Sequence, residues 1–440
     1  MQLDAFTYSD LSIFHRDETY SVFHKLDFTT TIGGRLALED VFRNPHSQLE
    51  DILSTQQAIQ IILNNLDQWP SGITNGTILM IEKFLGYQLD PVPKKTTAFE
   101  CYIYRVVHLS DYSRITFSIG HFQTFLKVMH QLCGLLNKHD APQNLKAIVS
   151  NINRLLSPEP VQQLLSKKAD ESFSVMENVS NGGFFHQQFR SQLFQLIDIF
   201  SQLDAWYSMA VAMKSFKLNF PLFIKQDQPV LEASGLYHIL LDKPMPYNIK
   251  MDPSTNFIFL TGANMAGKST FIKAVGLSVF LAHLGMGVPA LHFKLSLFDG
   301  ILSNINVTDN LVKGESYFYN EVQRIKHTIL KINDGKKWLV LIDELFKGTN
   351  IQDAMRCSTE VVQGLIRINQ ALFVLSTHLY EIGESLQKFP NISFNYFETL
   401  FEDEQLKFSY QLKEGISNDR LGYHILKREG VVDLLQSLGK

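Results

Sequence analysis

Apolar residues recur every three or four positions through much of the first half of the chain. Phe189, Leu193, Leu196, Phe200, Leu203, Tyr207, Ala210 and Met213 draw one such stripe, which predicts a long helix turned toward a core. Residues 115 to about 165 have the same spacing, interrupted near 138–142 and 157–160 by proline-bearing stretches. Residues 1 to about 66 read as mostly helical, with a turn at Thr31-Ile32-Gly33-Gly34. The run NVSNGG at 178–183 reads as a loop. Trp69-Pro70-Ser71-Gly72 and the prolines Pro91 and Pro93 are turn or linker signals, and the short amphipathic piece between them carries no recognisable chemistry. Beyond about residue 225 the pattern changes. Phe257 to Leu260, Trp338 to Ile342 and Ala371 to Leu375 are continuous apolar runs, as expected of strands buried on both faces of a parallel sheet. Residues 222–256 predict short strands leading into that sheet, 401–412 a hairpin, and 421–440 a terminal helix. The expected fold is α + α/β, with a helical region over 1–225 and an α/β region over 226–440.

The first apolar run ends in Gly262-Ala263-Asn264-Met265-Ala266-Gly267-Lys268-Ser269-Thr270, which fits the G-x-x-x-x-G-K-[ST] phosphate-binding loop at every specified position. Glycines at both ends let the backbone curl so that its N–H groups point at phosphate oxygens, and the following helix adds its positive end. Lys268 is placed to reach the β- and γ-phosphates of a nucleoside triphosphate and Ser269 to ligate Mg²⁺. A plain glycine-rich turn between strand and helix is the alternative. The second run delivers Asp343 and Glu344 to the carboxyl edge of the sheet, where ligands of open α/β folds bind. Asp343 is a candidate Mg²⁺ ligand and Glu344 a candidate to polarise the attacking water. Such a pair also serves as a helix cap, but the loop upstream favours the catalytic reading. The third run is followed by His378, placed to sense a γ-phosphate or position water; a lone histidine at a strand end is usually structural or solvated, but its order after Asp343-Glu344 favours the functional reading.

With the segments TGANMAGKST, DNLVKGESYFYNE (309–321), LIDELFKGTN and STHLYE in view, the sequence resembles the MutS DNA mismatch-repair family, whose ATPase domain is of the ABC type. The Asn264-Met265 pair and the run GVPA at 287–290 strengthen the likeness. The resemblance implies a helical core and lever domain followed by an ATPase domain that binds ATP and Mg²⁺ and pairs with a second copy. It assigns Ser316 to the γ-phosphate of the partner's nucleotide, Asp343 to the metal, Glu344 and His378 to catalysis alongside Lys268, and Tyr410 to a ring packed on adenine. Tyr237-His238 and Tyr247-Asn248 are further candidates for the base side. Ala263 and Ala266 stand where the family usually has Pro and Gly, and Phe346-Lys347 where it has Gly-Arg. None of these removes a phosphate or metal ligand, but lysine cannot reproduce a bidentate arginine fork. The resemblance begins at the family's core domain, so the mismatch-reading and connector domains are expected to be absent and the DNA clamp reduced or missing.

The chain has 440 residues, 45% of them hydrophobic, enough for more than one core. Its three cysteines, Cys101, Cys133 and Cys357, lack metal-site spacing. No export segment or membrane span is apparent, which together suggest a cytoplasmic protein. A formal net charge of −4 gives no global attraction to DNA. The expected function is therefore a MutS-like, Mg²⁺-dependent ATPase of mismatch repair or recombination that couples ATP state to lever movement. Two alternatives stand beside it: an ATP-gated protein–protein switch that no longer reads DNA, and a factor selective for branched DNA.

Overall fold

The computed structural model describes residues 1–93, 97–168, 171–306, 317–402, 405–417 and 430–438. Contacts divide the chain into two compact units. One comprises Met1–Lys25, Pro45–Leu49 and Phe216–Lys440, the other Leu26–Asn44 and Glu50–Ser215. The division is interleaved, whereas the sequence suggests one boundary near 225.

The first unit is built on a seven-stranded sheet. Its strands are β1 (Gln2–Leu3), β5 (Phe257–Thr261), β7 (Gly300–Asn304), β8 (Trp338–Asp343), β9 (Ala371–Ser376), β10 (Ile392–Glu402) and β11 (Gln405–Glu414), in the spatial order β1-β7-β8-β9-β5-β10-β11. All neighbours run parallel except β10 and β11, the expected hairpin. The intervening strands β2 (Leu222–Ile224), β3 (Leu231–Leu236), β4 (Tyr247–Met251) and β6 (His292–Ser296) form a second sheet, ordered β2-β6-β3-β4. Every residue of β5, β7, β8 and β9 is buried, which is why these strands read as unbroken apolar runs. Phe257 stacks on Phe373 between adjacent strands, with ring centroids 5.6 Å apart.

The amino-terminal residues belong to this unit. Gln2 and Leu3 pair with Gly300 and Ile301, and helix Ala5–Asp10 brings the buried Asp10 to the end of β7. Asp10 accepts hydrogen bonds from the Ser303 hydroxyl at 2.6 Å and from the backbone N–H groups of Ile305 and Asn306, each at 3.0 Å. Arg324 approaches the same strand end, donating to Asn304 Oδ1 at 2.8 Å and to the Ser303 carbonyl at 2.5 Å.

The second unit is helical, with Leu109–Leu136, Gln143–Leu156, Glu159–Ser166 and Arg190–Phe216 among its helices. The breaks expected near 138–142 and 157–160 fall where the helices end. Two sequence readings are corrected. Thr31 caps helix Ile32–Arg43 instead of marking a free turn, because the buried Asp204 carboxylate accepts from the N–H groups of Thr30 and Thr31 and from the Thr31 hydroxyl. The NVSNGG run is also helical, in Val175–Gly183, started by a reciprocal cap between Ser174 and Glu177. Its glycines answer a packing demand: a β-carbon on Gly182 would lie 2.7 Å from Ile115 Cγ2. Of the expected carboxy-terminal helix, Val431–Leu438 is present and 421–429 lie outside the described residues.

Candidate functional site

β9 lies between β5 and β8 in the sheet, so the three segments singled out by their chemistry leave adjacent strands at one carboxyl edge. The loop from β5 to helix Lys268–His283 has Gly262 at φ 136°, Met265 at 68° and Gly267 at 110°, a left-handed path that glycine takes at little cost. A β-carbon on Gly262 would also come within 3.1 Å of the Phe397 carbonyl. The buried Lys268 ammonium curls back over the loop and donates to the carbonyls of Gly262 at 2.7 Å and Ala263 at 2.9 Å. Burial lowers its pKa to about 8, against the opposing pull of the Glu344 and Asp343 carboxylates.

β8 ends in the acidic pair. Asp343 is buried and accepts from the hydroxyl of Ser376, its register partner on β9. Glu344 has φ 66°, an uncommon backbone for a non-glycine residue and one that recurs at functional sites. Its amide extends the ladder to the Ser376 carbonyl at 2.9 Å. Its carboxylate meets His378 Nε2 at 2.7 Å and Lys347 Nζ at 3.1 Å. Burial would raise the Glu344 carboxyl, but its contacts with His378 and Lys347 outweigh it and hold it at about 2, so it is a carboxylate at neutral pH.

The loop after the acids is anchored from elsewhere. The buried Glu321, on helix Tyr317–Ile332, accepts from the N–H groups of Lys347 at 3.1 Å and Gly348 at 3.2 Å. Burial pushes its carboxyl up, partly offset by those donors. Phe346, where the resembling family has glycine, keeps a left-handed φ of 60°. Its buried ring packs on Phe318 with centroids 5.7 Å apart, and this packing offsets the backbone cost.

Asn264, Met265, Gly267, Lys268, Ser269, Thr270 and Glu344 line one side of a cavity of about 470 Å³. Leu241, Lys243, Met245, Tyr247 and Tyr410 complete its lining. Tyr410 therefore shares the cavity with the loop. Tyr247 packs edge-on to Phe271 and Phe397. The other base-side candidates are engaged elsewhere: Tyr237 donates to the Phe216 carbonyl, the buried His238 accepts from the Leu240 amide, and Asn248 accepts from the Gly235 amide. Ala263 and Ala266 are buried and contribute backbone only. Ser316 lies outside the described residues. Sequence reading did not single out Ser376, Glu321 or the cavity wall of Leu241, Lys243 and Met245. Their places depend on register and tertiary contact, and only the acid in the 309–321 segment gave a visible signal.

Taken together, the fold and site define a largely parallel-sheet protein with a glycine-bearing strand-to-helix loop and a facing acidic strand end. Residues 258–435 match the family MutS domain V, the ATPase domain of that family. It is 29% identical over 247 residues to the DNA mismatch repair protein MutS of Streptococcus pyogenes serotype M5 (strain Manfredo), an alignment that covers 55% of this chain and 29% of that protein. The protein of the same name from serotype M49 (strain NZ131) is 28% identical over the same shares. The match thus spans less than a third of the length of these curated relatives. Among the described residues, no helix is long and apolar enough to cross a membrane.

Proposed function

We propose that this protein is a Mg²⁺-dependent ATPase whose nucleotide state is coupled to its helical unit and, through it, to DNA. The observation that carries the reading is the convergence of Lys268, Ser269, Glu344 and Tyr410 on one cavity, fed by neighbouring strands of a MutS domain V. The triphosphate lies along the loop N–H groups, with Tyr410 beside the base. Lys268 leaves the Gly262 and Ala263 carbonyls to hold the β- and γ-phosphates. Asp343 and Ser269 offer a carboxylate and a hydroxyl, the hard oxygen donors that suit Mg²⁺. The ion would neutralise charge developing on the phosphates. Glu344, kept ionised beside His378 and Lys347, orients the attacking water, and His378 stands where it can respond to the γ-phosphate.

Moving Lys268 onto phosphate reverses the environment that lowers its pKa, so binding is expected to take up a proton near pH 8. A ligand that raises a group's pKa binds more weakly as pH climbs through the free value. ATP affinity should therefore fall above about pH 8. Calorimetry at pH 8 in buffers of different ionisation enthalpy measures the uptake, which should vanish in Lys268→Ala. Equal heats in all buffers for the unaltered protein would reject this role of the lysine.

Ser316 is assigned to the γ-phosphate of a second copy. Ser316→Ala and Lys268→Ala should each be inactive alone but regain part of the activity when mixed, because one of the two hybrid sites is intact. No recovery in a mixture that forms hybrid dimers would exclude sharing.

The DNA reading is tested by fluorescence anisotropy on matched, mismatched and four-way-junction DNA, with and without a non-hydrolysable ATP analogue, at low and near-physiological salt. A preference that survives salt and shifts with nucleotide supports it. Weak binding abolished equally for all three DNAs would leave a nucleotide-gated protein switch.

A further inference from the structure

Helix Ala98–Val107, in the helical unit, buries Cys101 and Tyr104 and packs on helices Val175–Gly183 and Leu109–Leu136. Its other side is apolar and uncovered. Phe99, Tyr102, Ile103 and Val106 follow the i, i+3, i+4, i+7 spacing of a core-facing stripe, yet they are 74%, 59%, 44% and 64% exposed. Val107 and Leu109 extend the patch at 67% and 66%.

We propose that this stripe is a self-association surface, on which a second copy of the chain docks the same helix in antiparallel fashion about a two-fold axis. Three observations favour that occupant. The first is shape. With the axis between Tyr102 and Ile103, Phe99 of each copy meets the smaller Val106 of the other at both ends, while Tyr102 and Ile103 lie beside their own counterparts. A two-fold contact requires this kind of self-complementarity.

The second is area. The six side chains leave on the order of 700 Å² exposed per copy, more than the roughly 300–600 Å² of the largest patch on an ordinary monomer. Pairing would cover about 1,400 Å², within the range of stable interfaces.

The third is charge. The helix carries only Glu100 and Arg105, both away from the centre of the stripe. Glu100 is engaged in the reciprocal cap with Thr97, and Arg105 lies over the Tyr112 ring at 5.3 Å. A charge-poor stripe suits burial against protein, whereas a helix lying on a lipid surface carries a basic polar face. The cap also fixes the first turn, so little ordering remains to be done on docking.

The test uses the full chain without nucleotide, so that its outcome is independent of any pairing driven by ATP. Sedimentation equilibrium is expected to show a reversible dimer. Ile103→Glu should weaken it by roughly 100-fold or more, because it buries a charge at the centre of the contact. As a second readout, Tyr102→Cys in a Cys357→Ser background should cross-link with a short bis-maleimide, and adding Val106→Glu should abolish the product. Cys101 and Cys133 are buried and should stay silent. A protein that remains monomeric at high concentration, a dimer indifferent to Ile103→Glu, or failure of the Tyr102→Cys cross-link would each overturn the proposal. So would binding to anionic vesicles that Ile103→Glu removes, since that result would assign the stripe to a membrane surface.

Discussion

Glu344→Gln is expected to bind ATP with nearly unchanged affinity and to hydrolyse it about 10²- to 10⁴-fold more slowly, the range lost with a positioned acid–base group. The amide keeps the size of the side chain but cannot accept the water proton. It also releases His378 and Lys347 from a carboxylate that lies 2.7 and 3.1 Å from them. Single-turnover hydrolysis, read beside equilibrium binding of a fluorescent ATP analogue, separates the two effects. Wild-type turnover in Glu344→Gln would remove this residue from the mechanism. Loss of binding in place of turnover would instead assign it to organising the loop, with which it shares a cavity wall.

The largest expected effect on stability lies outside that cavity. Asp10→Ala leaves the buried Ile305 N–H, the buried Ser303 hydroxyl and the partly buried Asn306 N–H without their acceptor. It also leaves the Arg324 guanidinium without a nearby carboxylate that supports its charge. Stranded buried donors cost about 1–3 kcal/mol each before relaxation, so a loss on the order of 3 kcal/mol is expected. Asp10→Asn, which retains one acceptor oxygen, should lose less. The chain has three tryptophans, and Trp338 is fully buried on β8 while Trp69 and Trp206 belong to the helical unit. Urea unfolding followed through Trp338 in a Trp69→Phe, Trp206→Phe background therefore reports on the unit that Asp10 supports. An unchanged midpoint for Asp10→Ala would mean that water replaces the carboxylate at no cost.

The loop, the acidic pair and the strands beneath them were legible because their residues are contiguous and their signals local. An unbroken apolar run, two glycines and a lysine at fixed spacing suffice, whatever lies elsewhere in the chain. The long stripe from Phe189 to Met213 was readable for the same reason. What escaped depends on partners far away in sequence. Asp10 looks like any polar residue near a helix end until Ser303 is beside it. Ser376 is one hydroxyl in a strand until register sets it against Asp343. Gly182 and Gly183 look like loop residues because Asn, Ser and Gly favour turns, and only the approach of Ile115 to the first and Val92 to the second explains them in a helix. Strand β1 has two residues and no periodicity to detect, so it exists only through pairing. The stripe on Ala98–Val107 was not singled out in the sequence, and only the structure shows that its apolar side is uncovered.

That pairing of β1 bears on how the protein is made. Gln2 and Gly300 are neighbours in the sheet although almost three hundred residues separate them. At synthesis rates of about 5–20 residues per second, roughly 15–60 s pass between the emergence of the two strands. Throughout that interval the first helix has no donors for its buried carboxylate, and the edge of β7 does not yet exist. Residues 2–10 thus wait for native partners made almost three hundred residues later, and closure of so long a loop is a slow class of folding step. During synthesis the amino-terminal segment is open to chaperones or to mispairing, while the helical unit, encoded between the two strands, can already be complete.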